Sequence, residues 1–108
     1  MFERKAPIRS TQEDIPELAE EIDRFVIGLA ERIDSIQDAE LVESFSQVAL
    51  LSRQLSTDAD RLGYPGMAQN AKSVAMAAED GKTDSLQDLV IELTDLAQRV
   101  RRGHRGAA

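Results

Sequence analysis

Residues 48–81 read VALLSRQLSTDADRLGYPGMAQNAKSVAMAAEDG. The first half carries one stripe at steps of three and four: Val48 with Ala49, Ser52, Leu55, Ala59 and Leu62. That spacing puts the stripe on one face of a helix. The stripe stops at Gly63, which can take the left-handed conformation that ends helices. Tyr64-Pro65 cannot continue the helix, because proline disfavours helical backbone in the residue before it. A new helix then starts at Pro65 or Gly66, where the missing N–H of a first-turn proline costs nothing. Its inner face is Met67, Ala71, Val74, Ala75 and Ala78. Those small side chains allow close approach, so this stretch reads as a tight helical hairpin that ends before Gly81.

The same periodicity extends both ways. Upstream, Leu41 and Phe45 continue the stripe, and the helix is expected to begin near Asp38, where Asp34, Ser35, Asp38 and Glu40 favour a polar break over a continuous helix through 34–40. An earlier helix carries Ile15, Leu18, Ile22, Phe25, Leu29, Ile33 and Ile36. Asp14 and Glu17 have capping-box spacing at its start, around Pro16. Downstream, Asp84 and Gln87 repeat that spacing. Leu86, Leu89, Val90, Leu93, Leu96, Ala97 and Val100 follow on one stripe. Arg99, Arg101 and Arg102 crowd the last turn, where cations offset the helix dipole. No strand-type alternation appears. The expected fold is all-α, an antiparallel up-down-up-down four-helix bundle with helices near 14–36, 39–62, 65–80 and 84–102. Residues 1–13 are expected as an N-terminal arm, ordered late or mobile, and 103–108 as a frayed tail.

A chain of 108 residues supports one core. It has no Cys, which excludes disulfides, thiolate metal ligands and a cysteine nucleophile. It has no Trp and few aromatics, which argues against a base-stacking surface. His104 is the only histidine and is preceded three residues earlier by Arg101, so the Glu-x-x-His pairs of a di-metal carboxylate bundle are missing. No glycine-rich phosphate loop is present. These exclusions point to an interaction protein that is not an enzyme and has no metal or cofactor.

Charge is unevenly placed. Residues 10–98 hold six basic and nineteen acidic side chains, a balance of −13. Such a body repels nucleic acid and anionic lipid. The basic termini (Arg4, Lys5 and Arg9; Arg99, Arg101, Arg102 and Arg105) are too short to reverse that expectation. Apolar runs such as Val48–Leu51 are far below the roughly 20 residues of a membrane span. No apolar stretch follows Met1–Lys5, so a cytoplasmic, bacterial-type setting is expected.

The segment Leu51 to Gly63 resembles the second bundle helix of the histidine phosphotransfer (HPt) family, the four-helix phosphate shuttles of bacterial phosphorelays. The family signature is Ala-His-x-Leu-Lys-Gly-Ser-Ala-x-x-Leu-Gly. Leu55, Ala59, Leu62 and Gly63 match its apolar and turn positions. Phe25 to Ile36 upstream, and Met67-Ala68, Glu79-Asp80-Gly81 and Leu86 to Leu96 downstream, are similar in pattern. The resemblance spans residues 14–102. It departs where the family does chemistry: Arg53 stands at the phospho-accepting His, Ser56 at the Lys and Thr57 at the Gly. A guanidinium stays protonated and has no free lone pair to attack phosphorus. The resemblance therefore implies a pseudo-HPt domain of a two-component phosphorelay that carries no phosphate.

Helical geometry places Ser46, Leu50, Arg53 and Thr57 together on the outward flank of this helix. That flank is the expected protein-binding surface. The partner the resemblance implies is a response-regulator receiver domain or a histidine kinase. The expected state is monomeric. The competing expectation is a structural or self-associating bundle, unrelated to phosphorelay, with the Leu50 side buried in a homodimer.

Overall fold

The computed structural model describes residues 5–104. Five α-helices follow a short 3-10 turn at Pro16–Leu18: α1 Ala19–Ile27, α2 Leu29–Leu41, α3 Phe45–Arg61, α4 Pro65–Glu79 and α5 Thr83–Gly103. No strand occurs among the described residues, and none of their helices is long and apolar enough to cross a membrane. Each helix packs on the next in sequence order, and α2 and α1 also contact α5. Leu29, Ile36, Val48, Leu55, Met67, Val74, Leu86, Leu93 and Val100 are fully buried in one core.

The first expected helix begins late and is interrupted. Pro16 holds Ile15 in extended backbone (φ −92°, ψ 108°), so Asp14 does not cap and the capping box does not form. Gly28 then separates α1 from α2, a kink at a residue that stabilises helix poorly. The stripe from Ile22 to Ile36 stays buried across it. The next break also moves. Asp34–Glu40 is helical throughout, and α2 runs to Leu41. The turn falls at Val42–Ser44, so Leu41, expected on the inner face, ends α2 and is 83% exposed.

That turn repeats twice. Ser44 N–H donates to Ala39 O (2.9 Å), Tyr64 N–H to Ala59 O (2.8 Å) and Lys82 N–H to Ala77 O (3.0 Å). Each is the long bond of a Schellman motif, with a left-handed residue just before the donor. Gly63 (φ 90°) and Gly81 (φ 67°) fill two of these positions, and Glu43 (φ 58°) fills the third. The expected Asp84–Gln87 capping box is absent, since Lys82 occupies the cap position and no side chain caps α5.

Within the N-terminal arm, the described residues 5–13 are docked on the helices. The segment is non-helical through Ile15, but Ser10 is buried and its Oγ donates to Leu62 O. Thr11 N–H donates to Gly63 O (2.8 Å), and Ile8 N–H to Arg99 O (3.0 Å). Arg99 Nε and Arg102 Nη2 return bonds to the carbonyls of Ala6 (2.8 Å) and Lys5 (3.0 Å). A Cβ at Gly103 would collide with the Ile8 carbonyl, so glycine there makes room for the segment. His104, expected to fray, is half-buried with Nε2 2.9 Å from Asp23 Oδ1 on α1. The remainder of the expected tail, with Arg105, and Arg4 of the expected arm lie outside the described residues.

On the far side, Arg32 Nη1 bridges α2 to Asp58 of α3 (2.9 Å), and its guanidinium sits 5.8 Å from the Phe25 ring centroid. Phe25 in turn stacks on Tyr64 at 5.7 Å. Burial, aided by the Glu13 charge, pushes the Tyr64 phenol up to about 12.

Candidate functional site

The site expected from sequence is the outward flank of α3. Ser46, Leu50, Arg53 and Thr57 are all exposed there, as helical spacing requires of residues opposite Val48, Ser52, Leu55 and Ala59. Leu50 is 52% exposed. Ser56 lies at the edge of the core, half-buried, and its Oγ donates to Ala68 O of α4 (2.8 Å). Thr57 Oγ1 donates back to Arg53 O (3.1 Å) within its own helix. Both hydroxyls are thus occupied with backbone.

Arg53 does not present a free charge. Its Nε lies 2.9 Å from Glu79 Oε2 and its Nη2 2.6 Å from Oε1, a two-pronged bond from α3 to the last residue of α4. The hydrogen bonds raise the Arg53 guanidinium above its ordinary range and lower the Glu79 carboxyl below its own. Both groups are about half exposed, so water screens the pair and its worth to stability is small. Its effect is geometric, because a planar guanidinium held by both carboxylate oxygens has one orientation. At Arg53 the surface is therefore a neutral, fixed pair.

Sequence reasoning missed the contribution of α4. Met76 is 49% exposed and lies one turn before Glu79 on the same helix. Lys72 is one turn further back and makes no ion pair among the described residues. It borders an open cleft with Ser56, Thr57, Asp60 and Gln69. The surface consequently spans two helices: Leu50, Arg53 and Thr57 on α3, with Lys72, Met76 and Glu79 on α4. The available signal was Met76 itself, a large apolar residue off the Met67–Ala71–Val74–Ala78 stripe. Glu79 could not be paired with Arg53 before the register of the hairpin was known.

Among the described residues, two buried side-chain polar atoms lie unpartnered, Ser52 Oγ and Asn70 Oδ1. Neither faces the α3 flank. No family model, no curated protein and no solved structure matches the chain.

Proposed function

We propose that this chain is a pseudo-HPt domain, which binds a receiver domain or a histidine kinase through the α3–α4 face and transfers no phosphate. In this reading α2 to α5 form the family's antiparallel four-helix bundle, with α1 an interrupted extension of its first helix. The observation that carries the reading is the pair of exposed apolar residues, Leu50 and Met76, beside Arg53 at the family's His position. An apolar patch around that position is where the family docks its receivers. A fixed Arg–Glu pair in the middle offers orientation and hydrogen bonds without a nucleophile.

The energy comes mainly from the apolar residues, about 1.5–3 kcal/mol for a leucine taken from full exposure to full burial. Calorimetric titration of candidate receiver domains into the chain tests the proposal. Leu50→Ala and Met76→Ala should each weaken binding. Arg53→Ala should weaken it too, because it leaves Glu79 unneutralised against the acidic active site of a receiver. That loss should shrink as salt rises, since the new repulsion is screened. Incubation with phosphodonor kinase or phospho-receiver should leave no acid-labile phosphate on the chain. Phosphate found on α3, or failure of every receiver and kinase of the same organism to bind, would overturn the reading.

A further inference from the structure

A second face, which uses neither α3 nor α4, carries apolar groups that are more exposed than Leu50 and Met76. Leu41 and Val42 at the end of α2 are 83% and 73% exposed, and Ile91 on α5 is 64% exposed. They fall on one seam. Gln37 Nε2 of α2 donates to Thr94 Oγ1 of α5 (2.9 Å). As the chain advances from Asp23 to Gln37, its partner falls back from His104, just past α5, to Thr94 on α5, so α1–α2 and α5 run in opposite directions. Leu41 is one turn beyond Gln37, and Ile91 one turn before Thr94. Both steps move the same way along the seam, which sets the two side chains beside each other on adjacent helices.

The charge around them is predominantly negative, although Lys5 and Arg99 pair with Asp95 at the far end of the seam (3.6 and 3.8 Å). Residues 33–43 contain Asp34, Asp38, Glu40 and Glu43 and no base, and residues 83–98 contain Asp84, Asp88, Glu92 and Asp95 and no base. The nearest bases along α5 are Lys82 and Arg99, at the two ends of that stretch. A two-fold contact between copies would set this acidic surface against itself, because such an interface uses the same patch on both partners. A partner with apolar residues at helical spacing on one face and lysine or arginine on its flanks matches both features of the surface.

We propose that the α2–α5 seam around Leu41, Val42 and Ile91 docks a basic amphipathic helix of another protein. Apolar anchors on that helix cover the three side chains, and its basic flanks meet Asp38, Glu43, Asp88 and Glu92. This interface is independent of the α3–α4 reading and stands if that reading falls.

The test uses the full isotope-labelled chain. The probe is a synthetic amphipathic peptide of about four turns, with leucines on one face and lysines on the other. A peptide with glutamates in place of the lysines is the control. Amide shifts should centre on residues 38–43 and 88–92. Leu41→Ser and Ile91→Ser should each weaken the lysine peptide about tenfold, a change of about 1.4 kcal/mol. Both sites are exposed, so both variants should melt like the parent. Leu50→Ser should leave affinity unchanged, high salt should weaken it, and the glutamate peptide should not bind. The proposal is overturned if the lysine peptide fails to bind, if its shifts spread over every acidic face, or if Ile91→Ser binds as well as the parent. It is equally overturned if sedimentation finds a dimer that Ile91→Ser disperses, because the occupant is then a second copy.

Discussion

Replacing Gly63 by alanine perturbs two things that can be separated by comparison. Gly63 has φ 90°, and a Cβ added there would lie 2.5 Å from Ser10 Oγ and 2.8 Å from both Gln12 N and Thr11 Oγ1. Gly81 has φ 67° with nothing within 4 Å of an added Cβ, and Gly66 has open space and no positive φ. Gly81→Ala should therefore cost the left-handed term alone, about 1–2 kcal/mol. Gly66→Ala, in the first turn of α4, should be neutral or stabilising by up to about 1 kcal/mol. Gly63→Ala should cost the left-handed term and also expel the N-terminal segment. That expulsion forfeits the bonds from Ser10 Oγ to Leu62 O and from Thr11 N–H to Gly63 O, at about 1 kcal/mol each. The expected total is about 3–4 kcal/mol, some 2 kcal/mol beyond Gly81→Ala. Urea unfolding of the three variants measures the difference. Hydrogen exchange at the Thr11 amide, protected in the parent and released in Gly63→Ala, assigns it to the segment. Equal costs for Gly63→Ala and Gly81→Ala, with Thr11 still protected, would refute the docked segment.

Three further outcomes are expected. Glu43→Gly should stabilise the chain by about 1 kcal/mol, because Glu43 occupies a left-handed turn position that glycine fills without steric penalty; a melting temperature at or below that of the parent would contradict this. Ser52→Ala should also stabilise, by about 1 kcal/mol, since the Ser52 hydroxyl is fully buried with no partner; chemical denaturation reads it. Tyr64 is the only tyrosine, and the chain has no tryptophan, so tyrosinate absorbance reports it alone. Its folded pKa of about 12 lies above the unfolded value of about 10. The folded state thus holds the proton more tightly. The associated stability is complete below pH 10 and is lost as pH rises toward 12. Ionisation should coincide with unfolding in that window, and Tyr64→Phe should shift the alkaline transition upward.

The hairpin of α3 and α4 was legible because its turn is written in residues with few options. Gly63 and Pro65 mark one end and the start of the next helix, and Gly81 marks the close. The turn after α2 uses the same backbone bonds but places Glu43 where glycine is usual, so nothing in the residue type announced it. The polar run from Asp34 to Glu40 looked like a break, yet charged residues sit readily on the solvent side of a helix. The capping-box spacing of Asp14 and Glu17 takes no account of Pro16, whose effect on Ile15 decides where the helix begins. For the α3 flank, periodicity placed Ser46, Leu50, Arg53 and Thr57 outward because that depends on one helix only. The Arg53–Glu79 bond depends on how two helices register, which no local pattern encodes.

The bonds that hold the N-terminal segment also set an order of assembly. Arg99 Nε to Ala6 O and Arg102 Nη2 to Lys5 O join residues 93 and 97 positions apart, whereas the Ser56–Ala68 bond of the hairpin closes over 12. Long loops are the more costly to close and are rewarded only once the intervening chain is in place. The α3–α4 hairpin is thus the natural nucleus, and the segment seals the molecule last. Interactions absent from the transition state leave the folding rate unchanged and appear in the unfolding rate. Loosening residues 5–11 should therefore leave refolding as fast as in the parent and shorten the lifetime of the folded state.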